Sequence, residues 1–139
     1  MNLEAYLFLD GRCEEALAFY QQALGAELLA KMRFSESPEP PPPDQVPPGS
    51  DEKIMHAAVR VGDSVLMLSD GNCTGRPSFN GFALTLNADD EAAAERLFGA
   101  LGEGGAVQMP LAKTFFARRF GMVADRFGVP WMVIAGARE

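Results

Sequence analysis

Residues 113–134, KTFFARRFGMVADRFGVPWMVI, concentrate aromatic and basic side chains that could bind a small molecule. A guanidinium group binds a carboxylate or phosphoryl group through paired hydrogen bonds, and aromatic rings beside it would form an apolar wall. Because Arg118 and Arg119 are adjacent in what reads as a loop, one of them can face a cavity while the other faces water. The alternative is that most of these aromatic residues belong to the hydrophobic core. The candidate ligand-binding side chains of this segment are Phe115, Phe116, Arg118, Phe120 and Trp131.

His56 is the single histidine of the chain and stands on an otherwise apolar segment. Its imidazole could line a cavity and hydrogen-bond a polar ligand. Together with Asp70 it could form a carboxylate–histidine pair for proton transfer. The alternative is a histidine held in the core or in a dimer interface. Tyr6 and Arg33 complete the candidate ligand-binding set, and the alternative for Arg33 is a solvated charge at a strand edge.

Two cysteines are too few for a disulfide framework and have no metal-type spacing, so we expect free thiols. Cys13 begins a predicted helix, where backbone N–H groups can stabilise a thiolate. The neighbouring Glu14 and Glu15 oppose that charge, which favours a structural role over a nucleophilic one. Cys73 stands in a glycine-containing loop between the two halves of the chain.

The overall charge and hydropathy exclude several classes of partner. A net charge of -7 over 139 residues argues against binding nucleic acid or an anionic membrane, which requires clustered Lys and Arg. No stretch has the apolar length of a membrane span, and the N-terminus does not resemble a signal peptide. We therefore expect a cytoplasmic protein.

The order of predicted elements repeats between the two halves. In the first half, apolar runs and helical spacing predict a strand at 6–9, a helix at 14–24 and strands at 28–34, 54–61 and 65–69. In the second half they predict a strand at 82–86, a helix that follows Asp89 or Asp90 and ends at Gly102, and strands at 106–109, 120–125 and 131–135. Such a repeat indicates a duplicated unit.

A proline-rich loop, 35–50, interrupts the first half. Seven of the eleven positions from 38 to 48 are proline. Because proline lacks a backbone N–H and fixes φ, we expect this segment to be exposed, extended and unpaired. The alternative is a polyproline ligand for a partner protein.

Three segments, YLFLDGRCEEALAFYQQALG, KIMHAAVRVGDSVLMLSD and MPLAKTFFARRFGMVADRFGVPWMV, resemble the PhnB-like branch of the vicinal oxygen chelate superfamily, which includes glyoxalases, bleomycin resistance proteins and extradiol dioxygenases. The resemblance covers nearly the whole chain except the proline-rich loop. It implies an α+β fold in which two βαβββ modules, 1–70 and 80–139, form a curved, barrel-like sheet around a cavity within one domain, 1–139. It also implies a homodimer, with modules that pair within one chain or between two.

The resemblance further implies a divalent metal that is held by His, Glu or Gln from the first and last strand of each module and acts as a Lewis acid. In this chain the corresponding strands offer only Tyr6, Ser69 and Thr85 as polar side chains. We therefore predict no cofactor and no metal ligand, with His56 as the one candidate if a divalent metal binds. A small-molecule binding or sequestering protein is the favoured function. The alternative is a metal-dependent isomerase, lyase or dioxygenase acting on vicinal oxygens, so enzymatic activity stays open.

Overall fold

The computed structural model describes residues 1–38, 49–71 and 77–137, with side chains up to 136. The chain divides into two compact units, Met1–Pro77 and Ser78–Glu139. Each unit contains one four-stranded mixed sheet and one α-helix of 12 residues.

The first unit forms its sheet in the order β1-β4-β3-β2, with β1 parallel to β4 and the other pairs antiparallel. Two short 3-10 helices, Phe34–Glu36 and Ser50–Glu52, follow β2 and precede β3. The elements of this unit are β1 (Ala5–Phe8), α1 (Cys13–Leu24), β2 (Glu27–Arg33), β3 (Ile54–Val61) and β4 (Ser64–Ser69).

Helix α1 forms because Ala16, Leu17 and Tyr20 recur on one face, and all three are buried. It ends at Gly25, which has a left-handed φ of 66° and whose backbone N–H donates to the carbonyl oxygen of Tyr20. The facing strand residues Leu7, Leu66, Leu68, Ala57 and Val59 alternate along β1, β4 and β3, and they are also buried.

The second unit repeats this topology in the order β5-β8-β7-β6, again with the outer pair β5 and β8 parallel. Its elements are β5 (Leu84–Ala88), α2 (Glu91–Gly102), β6 (Ala106–Ala112), β7 (Ala117–Ala124) and β8 (Pro130–Ala137).

Helix α2 begins at a side-chain cap, because the Asp90 carboxylate accepts the N–H of Ala93 at 2.7 Å. Gly121 on β7 allows the helix to pack closely, since a Cβ there would lie 2.7 Å from Cε2 of Phe98. The absence of a side chain at this position is therefore required by the helix–sheet contact.

The strand registers define the second face of each sheet, opposite its helix, which we call the distal face. In the first sheet the residues that share this face are Tyr6, Phe8, Ala30, Met32, His56, Ala58, Met67 and Ser69. In the second sheet they are Thr85, Asn87, Met109, Ala112, Arg118, Phe120, Met122, Met132 and Ile134.

The predicted α+β fold with two βαβββ modules is confirmed. That the two modules enclose a cavity remains a prediction. Most of the predicted proline-rich loop lies outside the described residues. Within the part of the chain that is described, neither helix is long and apolar enough to cross a membrane.

Two strands start more than one residue away from their predicted first residue. Strand β5 starts at Leu84 rather than Phe82, because its parallel ladder with β8 begins at the pair Leu84 and Trp131. Strand β7 starts at Ala117, so the expectation that Arg118 and Arg119 occupy a loop is wrong. The ladder to β8 already includes the pair Ala117 and Ala137.

Candidate functional site

Tyr6 and His56 meet on the distal face of the first sheet. The Tyr6 hydroxyl lies 3.1 Å from Nδ1 of His56, and their ring centroids are 5.7 Å apart. The strands that carry them, β1 and β3, lie on either side of β4, and Met67 is in register with both Tyr6 and Ala58. The tyrosine hydroxyl therefore reaches across β4 to the histidine, and two of the predicted ligand-binding residues come together.

Which partner of this pair donates the proton depends on the tautomer of His56. Partial burial raises the pKa of Tyr6, and a hydrogen bond with the Ser69 side chain offsets part of that rise. The hydroxyl therefore keeps its proton at neutral pH and can donate to Nδ1 of His56 when that nitrogen carries no hydrogen. In that tautomer the proton of the imidazole sits on Nε2, which stays available as a donor.

Phe8 extends the pair into a strip of three rings, which we call the aromatic strip (Phe8, Tyr6 and His56). Its ring lies 5.1 Å from that of Tyr6 with an interplanar angle of 36°, and the angle between Tyr6 and His56 is 33°. Tyr6 is 39% exposed and Phe8 55%. The sequence interpretation missed Phe8, although its position two residues after Tyr6 on a strand places both on one face.

Asp70 does not pair with His56, so the carboxylate–histidine pair that the sequence left open does not form. The carboxylate is 1% exposed and is satisfied by backbone groups. Oδ1 accepts the N–H groups of Gly11 and Cys13, both at 2.8 Å, and Oδ2 accepts that of Ile54 at 2.7 Å. Asp70 thus anchors the loop before α1 and the start of β3, which explains why a carboxylate can be buried there.

Cys13 is fully buried as the first residue of α1. Burial raises the pKa of its thiol, and the nearby charges of Asp70 and Glu14 raise it further. The thiol therefore stays protonated, and the structure favours the structural role of Cys13 over the nucleophilic one. Cys73 lies outside the described residues.

Arg33 lies away from the distal face, on the side of its sheet that faces α1. It is in register with the buried Ile54, forms an ion pair with Glu14, and donates from Nη1 to the carbonyl oxygen of Glu52 at 2.6 Å. The hydrogen bond to Glu14 raises the pKa of Arg33 and lowers that of Glu14. These residues border a surface cleft of about 250 Å³. Arg33 is therefore not brought together with Tyr6 and His56.

On the second sheet, Arg118 and Phe120 do share the distal face, as alternate residues of β7. Phe116 packs edge-on against Phe120 with centroids 5.0 Å apart, and Phe115 packs edge-on against Phe116 at 5.1 Å. The structure therefore brings together four of the predicted residues of the second half: Phe115, Phe116, Arg118 and Phe120.

Trp131 belongs instead to the core of the second unit. It is 3% exposed, and its indole Nε1–H donates to Oδ2 of Asp125 at 2.9 Å. Its register with Leu84 and Val123 places it on the face that packs against α2. The core interpretation of this aromatic residue is therefore the one that the structure favours.

The donors on the expected metal-binding strands do not fit a divalent metal. The distal faces of these strands carry ring, hydroxyl, amide, thioether and aliphatic groups, whereas zinc and iron sites use imidazole, thiolate and carboxylate. Among the described residues, no group of three or more His, Cys, Asp and Glu side chains is close enough to hold a metal ion. The distal-face residues of the first and last strand of each module are Tyr6, Phe8, Met67, Ser69, Thr85, Asn87, Met132 and Ile134.

Residues 3–133 match the Glyoxalase/Bleomycin resistance protein/Dioxygenase superfamily, and the chain belongs to that superfamily. Protein YjdN of Escherichia coli (strain K12) is 41% identical over 138 residues, covering 96% of this chain and 94% of that protein. The crystal structure of protein PA1353 from Pseudomonas aeruginosa is 45% identical with a TM-score of 0.85 and covers 98% of both chains.

A PhnB protein from Bacillus cereus has the same fold, with 24% identity, a TM-score of 0.80 and coverage of 98% of this chain and 100% of that one. The family match over residues 3–133 confirms the resemblance to the superfamily that the three sequence segments indicate.

Proposed function

We propose that this protein binds or sequesters a small organic molecule and does so without the metal of its superfamily. The aromatic strip on the first sheet carries the proposal. It combines two exposed rings, Tyr6 and Phe8, with a hydrogen-bonded polar pair, Tyr6 and His56. A strip of this kind can bind the face of a planar ligand and the polar group at its edge.

The energetics of the aromatic strip favour a flat, partly apolar ligand. Covering exposed ring surface contributes roughly 25 cal/mol per Å², and a well-oriented ring pair adds about 0.5–1.5 kcal/mol. Met67 and Met32 flank the strip in register with Tyr6 and His56. Their flexible thioethers can adapt to ligands of different outline.

Binding can be tested by fluorescence titration with phenylnaphthylamine, an uncharged aromatic probe. Phe8→Ala is expected to weaken binding by about tenfold, because it removes an exposed ring of the strip. Phe82→Ala is the matched control, since Phe82 is also an exposed phenylalanine but lies before β5, outside both sheets. If the wild-type protein gives no signal with this probe, or if both variants weaken binding equally, the aromatic strip is not the binding site.

The alternative function, a metal-dependent isomerase, lyase or dioxygenase acting on vicinal oxygens, depends on His56. Its Nδ1 is already engaged by Tyr6, and among the described residues no group of three or more His, Cys, Asp and Glu side chains could hold a metal ion. Elemental analysis of protein purified without chelator distinguishes the two functions. More than about half an equivalent of zinc, nickel, manganese or iron, lost in His56→Ala, would establish the metal-dependent alternative.

We also propose that the protein is a homodimer. Strands β2 and β6 are edges of their sheets and expose large apolar side chains: Leu28, Leu29, Val107 and Met109. Exposed apolar edge strands are surfaces on which a second chain can pair. Light scattering should give the mass of a dimer, and Leu29→Glu should reduce it. Leu3→Glu, at a fully exposed leucine outside the sheets, should leave the mass unchanged.

A further inference from the structure

We propose that the distal face of the second sheet holds an anion subsite, in which Arg118 binds the carboxylate, sulfonate or phosphoryl group of an aromatic ligand and the rings of Phe115 and Phe116 hold its apolar body. This inference rests on the proposed ligand-binding function and adds the ligand class. Three observations support it: the packing of the Arg118 side chain against Gly136, the lack of an ion-pair partner for Arg118 among the described residues, and the neighbouring aromatic rings.

The Arg118 side chain packs directly over Gly136 of β8. A Cβ at Gly136 would stand 2.7 Å from Cδ of Arg118, 2.8 Å from Cγ and 3.1 Å from Cβ. Gly136 also has a φ of 62°, a left-handed backbone that other residues rarely adopt. The missing side chain therefore lets the aliphatic stem of Arg118 lie directly against β8.

Arg119, the neighbouring arginine, has carboxylate partners, whereas Arg118 has none among the described residues. Arg119 points to the helix side, where its guanidinium lies 3.2 Å from Glu91 and 3.7 Å from Glu95. Arg118 has no ion pair or side-chain hydrogen bond with any described residue. In a chain with a net charge of -7, its guanidinium is a cation left available for an anionic ligand.

Phe115 and Phe116 provide the apolar part of the subsite, and the buried Phe120 packs against Phe116. Phe120 is two residues from Arg118 on the same face of β7 and is covered by Phe116. Phe115 is 89% exposed and stands nearly perpendicular to Phe116, at 83°. A cation beside exposed and partly exposed rings matches a ligand that carries an anionic group on an aromatic body.

Two probes that share an aromatic body test the subsite. Anilinonaphthalene sulfonate carries the anion, and phenylnaphthylamine is its uncharged counterpart. Arg118→Gln should weaken binding of the sulfonate by about tenfold and leave the uncharged probe unaffected. Arg119→Gln, the matched control one residue away, should change neither affinity.

Gly136→Ala tests the packing of Arg118 against β8 without removing the guanidinium charge. It should weaken binding of the sulfonate while the circular dichroism spectrum and the affinity for the uncharged probe stay those of the wild type. Equal losses in Arg118→Gln and Arg119→Gln would show a general charge effect and overturn the subsite. So would an Arg118→Gln variant that binds the sulfonate normally or that changes the oligomeric mass, since the latter would assign Arg118 to a contact between copies.

The proposed function and the subsite fail in different ways. Binding of neither probe by the wild-type protein would remove the proposed function together with the subsite. Binding of both probes with no dependence on Arg118 would remove the subsite alone.

Discussion

The two units fold the same strand–helix–three-strand module but hold the N-termini of their helices by different means. Helix α2 is capped locally by Asp90, which accepts an N–H three residues further on. Helix α1 has no side-chain cap from Arg12, and Asp70 from the end of β4 accepts the N–H groups of Gly11 and Cys13 instead. The start of α1 is therefore a tertiary contact, whereas the start of α2 is specified by adjacent sequence.

The distal faces differ as well, although their registers make them directly comparable. Met67 pairs with Tyr6 and Ala58 in the first sheet, as Met132 pairs with Thr85 and Met122 in the second. Two residues before Ala58 stands His56, and two residues before Met122 stands Phe120. Equivalent positions thus carry a polar pair in one unit and an aromatic cluster beside an arginine in the other. One scaffold therefore carries two kinds of side-chain cluster.

The largest expected effect is that of Asp70→Asn. The variant keeps the shape of the side chain but replaces one carboxylate oxygen with an NH2 group, so at least one of the three backbone N–H donors loses its acceptor. We expect a loss of about 3–5 kcal/mol in the free energy of unfolding, because buried groups would be left unsatisfied. Urea denaturation measures it.

Hydrogen exchange then tests whether Asp70 acts as the tertiary anchor of α1. In Asp70→Asn the amides of α1 and of the start of β3 should lose protection, while those of α2 keep theirs. A loss of less than about 1 kcal/mol would mean that water replaces the carboxylate and that the two helix starts are not different in kind.

The next effect concerns the buried thiol of Cys13. Since the pKa of Cys13 is raised in the folded protein, its contribution to stability is complete below the pKa of the unfolded thiol and is lost as the pH rises above it. Between about pH 8.5 and 9.5 the free energy of unfolding should fall by up to about 1.4 kcal/mol per pH unit more than in Cys13→Ala. A Cys73→Ala background leaves Cys13 as the only thiol.

The same background gives a chemical check on Cys13. A thiol reagent at neutral pH should label Cys13 only as fast as the protein unfolds. Rapid labelling of folded protein, or equal alkaline slopes with and without Cys13, would contradict the assigned burial and protonation.

Removing the local cap should cost less than removing the tertiary anchor. Asp90→Ala leaves the N–H of Ala93 without its side-chain acceptor, but water can reach this exposed position. We expect a loss of about 1 kcal/mol by urea denaturation. Asp89→Ala, one residue earlier, serves as the control and should have little effect. A loss in Asp90→Ala as large as in Asp70→Asn would remove the distinction between the two helix starts.

The parts of this structure that could be predicted from sequence are those with local causes. The cap of α2 acts within a few residues: the sequence offers Asp89 or Asp90 for it, and the structure has Asp90. The role of Asp70 could not be read, because its partners are up to 59 residues away. Likewise, the pairing of β8 with β5, which places Trp131 opposite Leu84, shows that Trp131 faces the core.

The smallest expected effect is that of the ion pair between Glu14 and Arg33, which ties α1 to β2 at the surface. The pKa of Glu14 is lowered chiefly by its hydrogen bond with Arg33, so the stabilisation is present above the pKa of the unfolded carboxyl group and is lost as the pH falls through the folded value. At neutral pH and low salt, Glu14→Gln should lower the melting temperature by about 1–2 °C. The difference from the wild type should disappear in about 1 M salt, because exposed charges are then screened.

Glu15→Gln is the control for the loss of a charge near the helix N-terminus, since the carboxylate of Glu15 pairs with Arg12 within the same turn. If Glu14→Gln stayed destabilised in high salt, the contact would stabilise α1 through packing rather than charge, and the surface of the first unit would contribute to anchoring its helix together with Asp70.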